Sequence, residues 1–200
     1  MSEAKPAGKA SARERLLSAA NKLFYAEGVH TVGIDRIVEH AGVAKATLYN
    51  LFGGKEQLIL AYLESRHNDT LEEIHHAVER HRTPRERLLA VFDAQGESFA
   101  EPDFNGCAFV TASAEAPRGG LIERTADQYR ISLLGILTQL SAELGAAEPA
   151  ALAHQLQLLY DGAALAARMD RSARVAKSAL SAATLLVDAA APAAGFLPAA

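Results

Sequence analysis

Lys45, Ala46, Thr47, Tyr49 and Asn50 fall within six consecutive positions. Together they offer an ammonium group, a methyl-bearing hydroxyl, an aromatic ring and an amide. Those groups suit phosphate oxygens and base edges in a DNA major groove. Ala46 has almost no side chain, so a helix carrying it can approach a duplex closely. Just upstream, Gly42 can take the positive φ that a sharp turn needs. Two short apolar segments, 34–40 and 45–52, meet at Ala41-Gly42-Val43, and Ile37, Val38, Val43 and Leu48 supply a seam between them. That is the form of a helix-turn-helix. An ordinary helical hairpin with its polar residues facing water has the same spacing.

A second set of side chains could line a small-molecule pocket. Phe104, Cys107, Phe109, Leu121, Tyr129, Leu133, His154, Leu158 and Tyr160 combine apolar bulk with a few polar points, the mix found around ligand cavities. For any one of them, a place in the core is the commoner reading. His154 and Asp161 lie seven apart on one helical face, which permits a ligand or metal contact, though a satisfied core or interface histidine is the commoner use of such a position. His75 and His76 are adjacent and point in different directions, a poor metal pair. Cys107 could act as a nucleophile beside a histidine base. No local motif surrounds it, and a lone cysteine commonly behaves as a small apolar residue. The chain has no phosphate-cradling glycine loop, no His-Glu metal motif and no paired carboxylates. No catalytic residue, cofactor or metal is expected.

The elements that must position these groups read as helices throughout. Alanine, the best helix former, makes up about a fifth of the chain, and no segment alternates apolar and polar residues as a strand would. Ser11 and Glu14 have capping-box spacing. Leu16, Leu17, Ala20, Leu23 and Phe24 follow at helical spacing, and Gly28 can end the helix. Beyond Gly53-Gly54 a long apolar pattern runs to about Arg82. Thr83-Pro84-Arg85-Glu86 starts another helix, with Thr at the cap, Pro at the first position and Glu at the third. A short segment covers about 107–115. Three longer ones cover about 121–144, 149–169 and 172–190, for about nine helices and an all-α fold. Residues 1–10 read as a disordered arm and 191–200 as a frayed Pro/Ala/Gly tail.

Composition bounds the function. Half of the 200 residues are apolar and 22% are charged, so this is not a disordered tail protein. A single cysteine excludes an internal disulfide and a cysteine-rich zinc site. Residues 1–60 hold eight Lys/Arg against six Asp/Glu, a balance of +2, and the remainder holds twelve against eighteen, a balance of −6. A mildly basic first third on an acidic body suggests two tasks in one chain. Residues 1–15 lack the apolar core of a secretory signal. The apolar stretch 180–187, cut by Asp188, falls short of the roughly 20 residues of a membrane span. A cytoplasmic protein with no membrane partner is expected.

The stretch Gly28 to Leu58 resembles the TetR/AcrR family of bacterial regulators. Ala41-Gly42-Val43-Ala44-Lys45-Ala46-Thr47-Leu48-Tyr49-Asn50-Leu51-Phe52, followed by Lys55-Glu56-Gln57-Leu58, is close to that family's AGVSKGTLYxHFxSKExL. The likeness covers about residues 11–60. Ala44 stands where the family often has Ser, and Gly33 and Gly54 where Ser or Thr would cap. Asn50 and Leu51 replace a commoner His or aromatic pair, so base preference cannot be carried over.

The resemblance implies a homodimer with a DNA-binding domain at 11–56, its motif at about 33–52, and a ligand-binding and dimerisation domain at 57–190. It assigns Lys45 and Lys55 to phosphates, and Thr47 and Tyr49 to the DNA backbone or a thymine methyl. Arg36 would reach base edges or phosphate, or else pair on the surface with Glu39 or Asp35. Arg13 and Arg15 would touch the flanking backbone or form a solvated face. Ala163, Ala166 and Ala167, with Ala179 and Ala183, would let two helices from each subunit meet in a four-helix interface. The implied partners are a near-palindromic DNA operator and a small apolar or aromatic inducer that releases a repressor. A small-molecule-binding protein or enzyme on the same fold, no longer binding DNA, is the alternative.

Overall fold

The computed structural model describes residues 10–192. Residues 1–9 and 193–200, where the arm and tail are expected, lie outside the described residues. Among the described residues there are nine α-helices and no strand: α1 (Ala12–Glu27), α2 (Ile34–Ala41), α3 (Lys45–Phe52), α4 (Lys55–Glu79), α5 (Pro84–Phe99), α6 (Ala108–Glu115), α7 (Leu121–Leu144), α8 (Pro149–Asp170) and α9 (Arg174–Ala190). None is long and apolar enough to cross a membrane.

Local chemistry sets the ends of these helices. Glu14 N donates to Ser11 Oγ at 3.2 Å and Ser11 N donates to Glu14 Oε2 at 2.7 Å, closing the capping box of α1. Thr83 and Glu86 repeat the arrangement at the start of α5, both backbone bonds being 3.2 Å. Gly42 ends α2 with φ 61° and ψ 44°. That left-handed conformation costs a residue with a Cβ more than it costs glycine, and it turns the chain within three residues into α3.

α1, α2, α3 and the first half of α4 form one body. Leu16, Ile37, Leu48 and Leu58 have no exposure, and Phe24 packs on Tyr62 with ring centroids 5.6 Å apart. Full burial of each such side chain stabilises by about 1.5–3 kcal/mol relative to exposure. The boundary expected between residues 56 and 57 falls inside the first turn of α4, which runs unbroken through 25 residues, about 37 Å at 1.5 Å per residue. Its distal half joins α5 to α9, whose core includes Leu88, Leu133, Leu137 and Leu156, all without exposure. Arg85 holds Asp188 through two bonds of 2.6 and 3.0 Å, pinning α5 to α9.

Four of the five alanines expected at a dimer interface are buried within the single subunit. Ala163, Ala167 and Ala179 are buried and Ala183 has no exposure, while Ala166 is half-buried. The small side chains of Ala163, Ala167, Ala179 and Ala183 let α8, α9 and α5 pack closely inside one subunit. The outward faces carry larger groups instead. Leu158, Leu165 and Met169 on α8 are 70%, 57% and 74% exposed, and Leu185 on α9 is 70% exposed.

Candidate nucleic-acid interface and ligand cavity

α3 buries Leu48 and Phe52 against α1 and α2 and turns its other face outward. Lys45, Ala46, Tyr49 and Asn50 are exposed and Thr47 is half-buried beside them. Ala44 makes no side-chain capping bond, and neither does Gly54 before α4. Thr47 N bonds Ala44 O at 2.9 Å, and the amides before it in α3, like those opening α4, have no side-chain acceptor at the cap; such helix N-termini attract anions.

The cations near this face are held by the protein itself. Lys45 Nζ lies 2.7 Å from Asp35 Oδ1 on α2, and that carboxylate raises the ammonium's pKa. Lys55 Nζ donates to His30 O at 3.2 Å. Partial burial lowers its pKa, opposed by the charge of Glu115. Arg36 points to α1, gripping both oxygens of Glu27, with Nη2–Oε1 at 2.8 Å. Its partner on the surface is Glu27, neither Glu39 nor Asp35. Arg15 also faces inward, bonding Ala41 O at 3.1 Å. Arg13 lies 5.1 Å over the Phe52 ring.

Beneath α4 lies a cavity of about 120 Å³. Phe104, Cys107, Phe109, Tyr129 and Tyr160 all line it, brought together from the α5–α6 loop, α6, α7 and α8. Four expected residues do not. Leu121 is 41% exposed, and His154 is exposed together with Leu158 on the outer side of α8. Leu133 is wholly buried core. The reason is helical phase: Tyr160 lies two residues from Leu158, a rotation of about 200° at 3.6 residues per turn, so the two face opposite sides of α8. Asp161 pairs with Arg130 at 2.8 Å, not with His154. Burial pushes the Cys107 thiol's pKa up, which disfavours the thiolate a nucleophile needs. No group of three His, Cys, Asp or Glu able to hold a metal occurs among the described residues.

Several wall residues escaped sequence reasoning. Arg66, Asp69, Thr70 and Glu73 on α4, and Gln95 on α5, line the same cavity. The polar run at spacings of three and four along α4 was the available signal. Gln95 left none, because its role follows from which helix α5 meets.

Two connections join the bodies. Asn105, in the α5–α6 loop, donates from Nδ2 to Tyr25 O at 2.7 Å. His30 N donates to Glu115 Oε2 at 2.9 Å. Gly28 allows the second: a Cβ there would lie 2.6 Å from Glu115 Oε1.

This geometry has counterparts among known proteins. A family model described as "Bacterial regulatory proteins, tetR family" matches residues 16–62. The solved structure of SCO4454, a TetR-family transcriptional regulator from Streptomyces coelicolor, is 34% identical, covers 90% of this chain and 96% of that one, and superposes with a TM-score of 0.87. The chain belongs to the TetR family. A second TetR-type structure, from Streptomyces avermitilis, is 33% identical over 90% of this chain and 98% of that one, with a TM-score of 0.81. The transcriptional activator FasR of Mycolicibacterium smegmatis is 35% identical over 94 residues, 47% of this chain and 42% of FasR. The match thus spans about two fifths of that curated relative's length. As a TetR-family transcriptional regulator, the chain uses its helix-turn-helix, α2 and α3, as its DNA-binding element.

Proposed function

We propose that this TetR-family protein is a ligand-released repressor that binds a near-palindromic operator as a homodimer. The outward face of α3 carries the reading. Lys45, Ala46, Thr47, Tyr49 and Asn50 share one exposed surface, next to two helix starts without a side-chain cap. In the bound state Lys45 and Lys55 exchange Asp35 and His30 O for phosphates, and Thr47, Tyr49 and Asn50 face the groove. Arg36 stays on Glu27 and orients α2 on α1.

The dimer joins the outer faces of α8 and α9 through Leu158, Leu165, Met169 and Leu185, large apolar groups that a lone subunit leaves in water. Two recognition helices then stand about one DNA turn apart, roughly 34–36 Å. A small apolar or aromatic molecule fills the cavity under α4. α4 is the lever, because Lys55 opens it beside the DNA and Asp69 and Glu73 line the cavity further along. The ligand must favour the conformation that binds DNA poorly. A tenfold loss of operator affinity needs about 1.4 kcal/mol of coupling, and DNA must weaken ligand binding by the same factor.

The experiment is a gel-shift with DNA upstream of the protein's own gene, followed by transcription from that promoter with and without protein. A retarded band and reduced transcript are expected. A retarded band with increased transcript makes the protein an activator, as FasR is named. No band with any upstream fragment removes DNA binding and favours the small-molecule-binding alternative.

A further inference from the structure

The cavity under α4 carries more charge than an apolar guest needs. Asp69, Glu73, Glu101 and Asp161 line it against a single guanidinium, that of Arg66. Asp161 is compensated by Arg130. Asp69, Glu73 and Glu101 take part in no ion pair among the described residues. Arg66 lies 4.0 Å over the Tyr25 ring. The Glu73 carboxyl is pushed above the usual range by burial and then by the charges of Glu101 and Asp69. These three acids are exposed and stand at the open mouth of the cavity, where Arg66 is the single cation among its walls.

Two independent features point to the same guest. Gln95 is only 5% exposed and forms part of the cavity wall. Its Nε2 donates to Tyr160 O at 2.8 Å, while its Oε1 has no partner. A buried amide oxygen is normally hydrogen-bonded, so this acceptor is open to an N–H or O–H donor that reaches it. The remaining walls are aromatic. Phe99 and Phe104 lie 4.9 Å apart, and Phe109 stacks on Tyr129 at 3.9 Å. Ring faces are electronegative and attract cations.

We propose that the ligand of this cavity is a protonated organic amine with a small aromatic or apolar body, its N–H bonded to Gln95 Oε1 and its charge facing Asp69, Glu73 and Glu101. This rests on the cavity being the ligand site of the regulator and narrows the chemistry of what enters. A quaternary ammonium has no N–H for Gln95, and a carboxylate would meet the acids. The volume of about 120 Å³ is of the order of an engineered cavity of about 150 Å³ that takes benzene, which fits a single ring.

Calorimetry on the full chain tests this with three molecules of nearly one shape: benzylamine, benzyl alcohol and benzoate. Benzylamine should bind at least about tenfold more tightly than benzyl alcohol, about 1.4 kcal/mol, and benzoate should give no binding. Raising salt from about 0.01 M to about 1 M shortens the screening length from about 30 Å to about 3 Å and should narrow that preference. Glu73→Gln should weaken benzylamine about fivefold to tenfold and leave benzyl alcohol unchanged. Equal or tighter binding of benzyl alcohol or benzoate overturns the amine but leaves the cavity as a ligand site. Binding of none of the three overturns both. Tight benzylamine binding with unchanged operator affinity keeps the amine and overturns ligand release.

Discussion

The hydroxyl of Tyr25 accepts the backbone N–H of Asn105 at 2.9 Å and donates to Gly106 O at 3.0 Å. Asn105 answers with Nδ2 bonds to Tyr25 O and Ala26 O at 2.7 and 3.2 Å. Tyr25 stands near the end of α1, and Asn105 and Gly106 form the loop into α6. The Tyr25 ring is also a wall of the cavity. A guest there therefore presses on a side chain bonded into both bodies.

Tyr25→Phe is expected to lower the melting temperature, because Asn105 N–H and Gly106 O lose a partner. Each half-buried group left unpaired costs about 1–3 kcal/mol. Without ligand, operator affinity should stay near wild type, and the ligand-induced loss of affinity should shrink. Gel-shifts with and without a bound ligand check this. An unchanged ligand response would remove the Tyr25–Asn105 connection from the coupling path.

The cations at the DNA face should separate by salt dependence. Each neutralised phosphate contributes about −0.9 to the slope of log affinity against log salt. Lys45→Ala and Lys55→Ala should each reduce the slope by about one unit, and Arg36→Ala should leave it unchanged because Glu27 holds that guanidinium. Asp35→Asn should tighten binding at low salt by freeing Lys45 and removing a negative charge. Operator titrations at several salt concentrations read all four.

Packing inside and between subunits should respond to different substitutions. Leu165→Asp places a charge on the outer face of α8 and should give a folded monomer in sedimentation. Ala183→Leu overfills the contact made by α9 within the subunit and should destabilise by about 1–3 kcal/mol. A Leu165→Asp protein that stays dimeric would remove that face as the interface.

Glu73, exposed at the cavity mouth, is expected to give stability a small pH dependence. Partial burial and the neighbouring acids raise its folded pKa, so the folded chain holds that proton more tightly than the unfolded one. Its ionisation therefore destabilises progressively as pH rises from the ordinary carboxylate range through the raised value. Glu73→Gln should raise the melting temperature at neutral pH, and the gain should vanish below the ordinary carboxylate range. Thermal melts across that range test it. A gain independent of pH would assign the effect to packing.

Near-neighbour chemistry was legible in the sequence. The capping pairs Ser11–Glu14 and Thr83–Glu86, the turn at Gly42 and the helical period each act within a few residues, so the helices fell close to where the residues place them. The outward face of α3 was legible for the same reason: burying Leu48 and Phe52 leaves Lys45, Ala46, Tyr49 and Asn50 outside. What required the tertiary structure was every choice between equivalent faces and partners. Arg36 could reach several acids, and only the approach of α1 selected Glu27. The small-residue stripes of α8 and α9 suited any close helix contact, and the chain satisfies them within itself, leaving Leu158, Leu165, Met169 and Leu185 outside. The polar walls of the cavity come from helices far apart in sequence. Their meeting depends on how α4, α5, α7 and α8 cross, and no local spacing encodes that crossing.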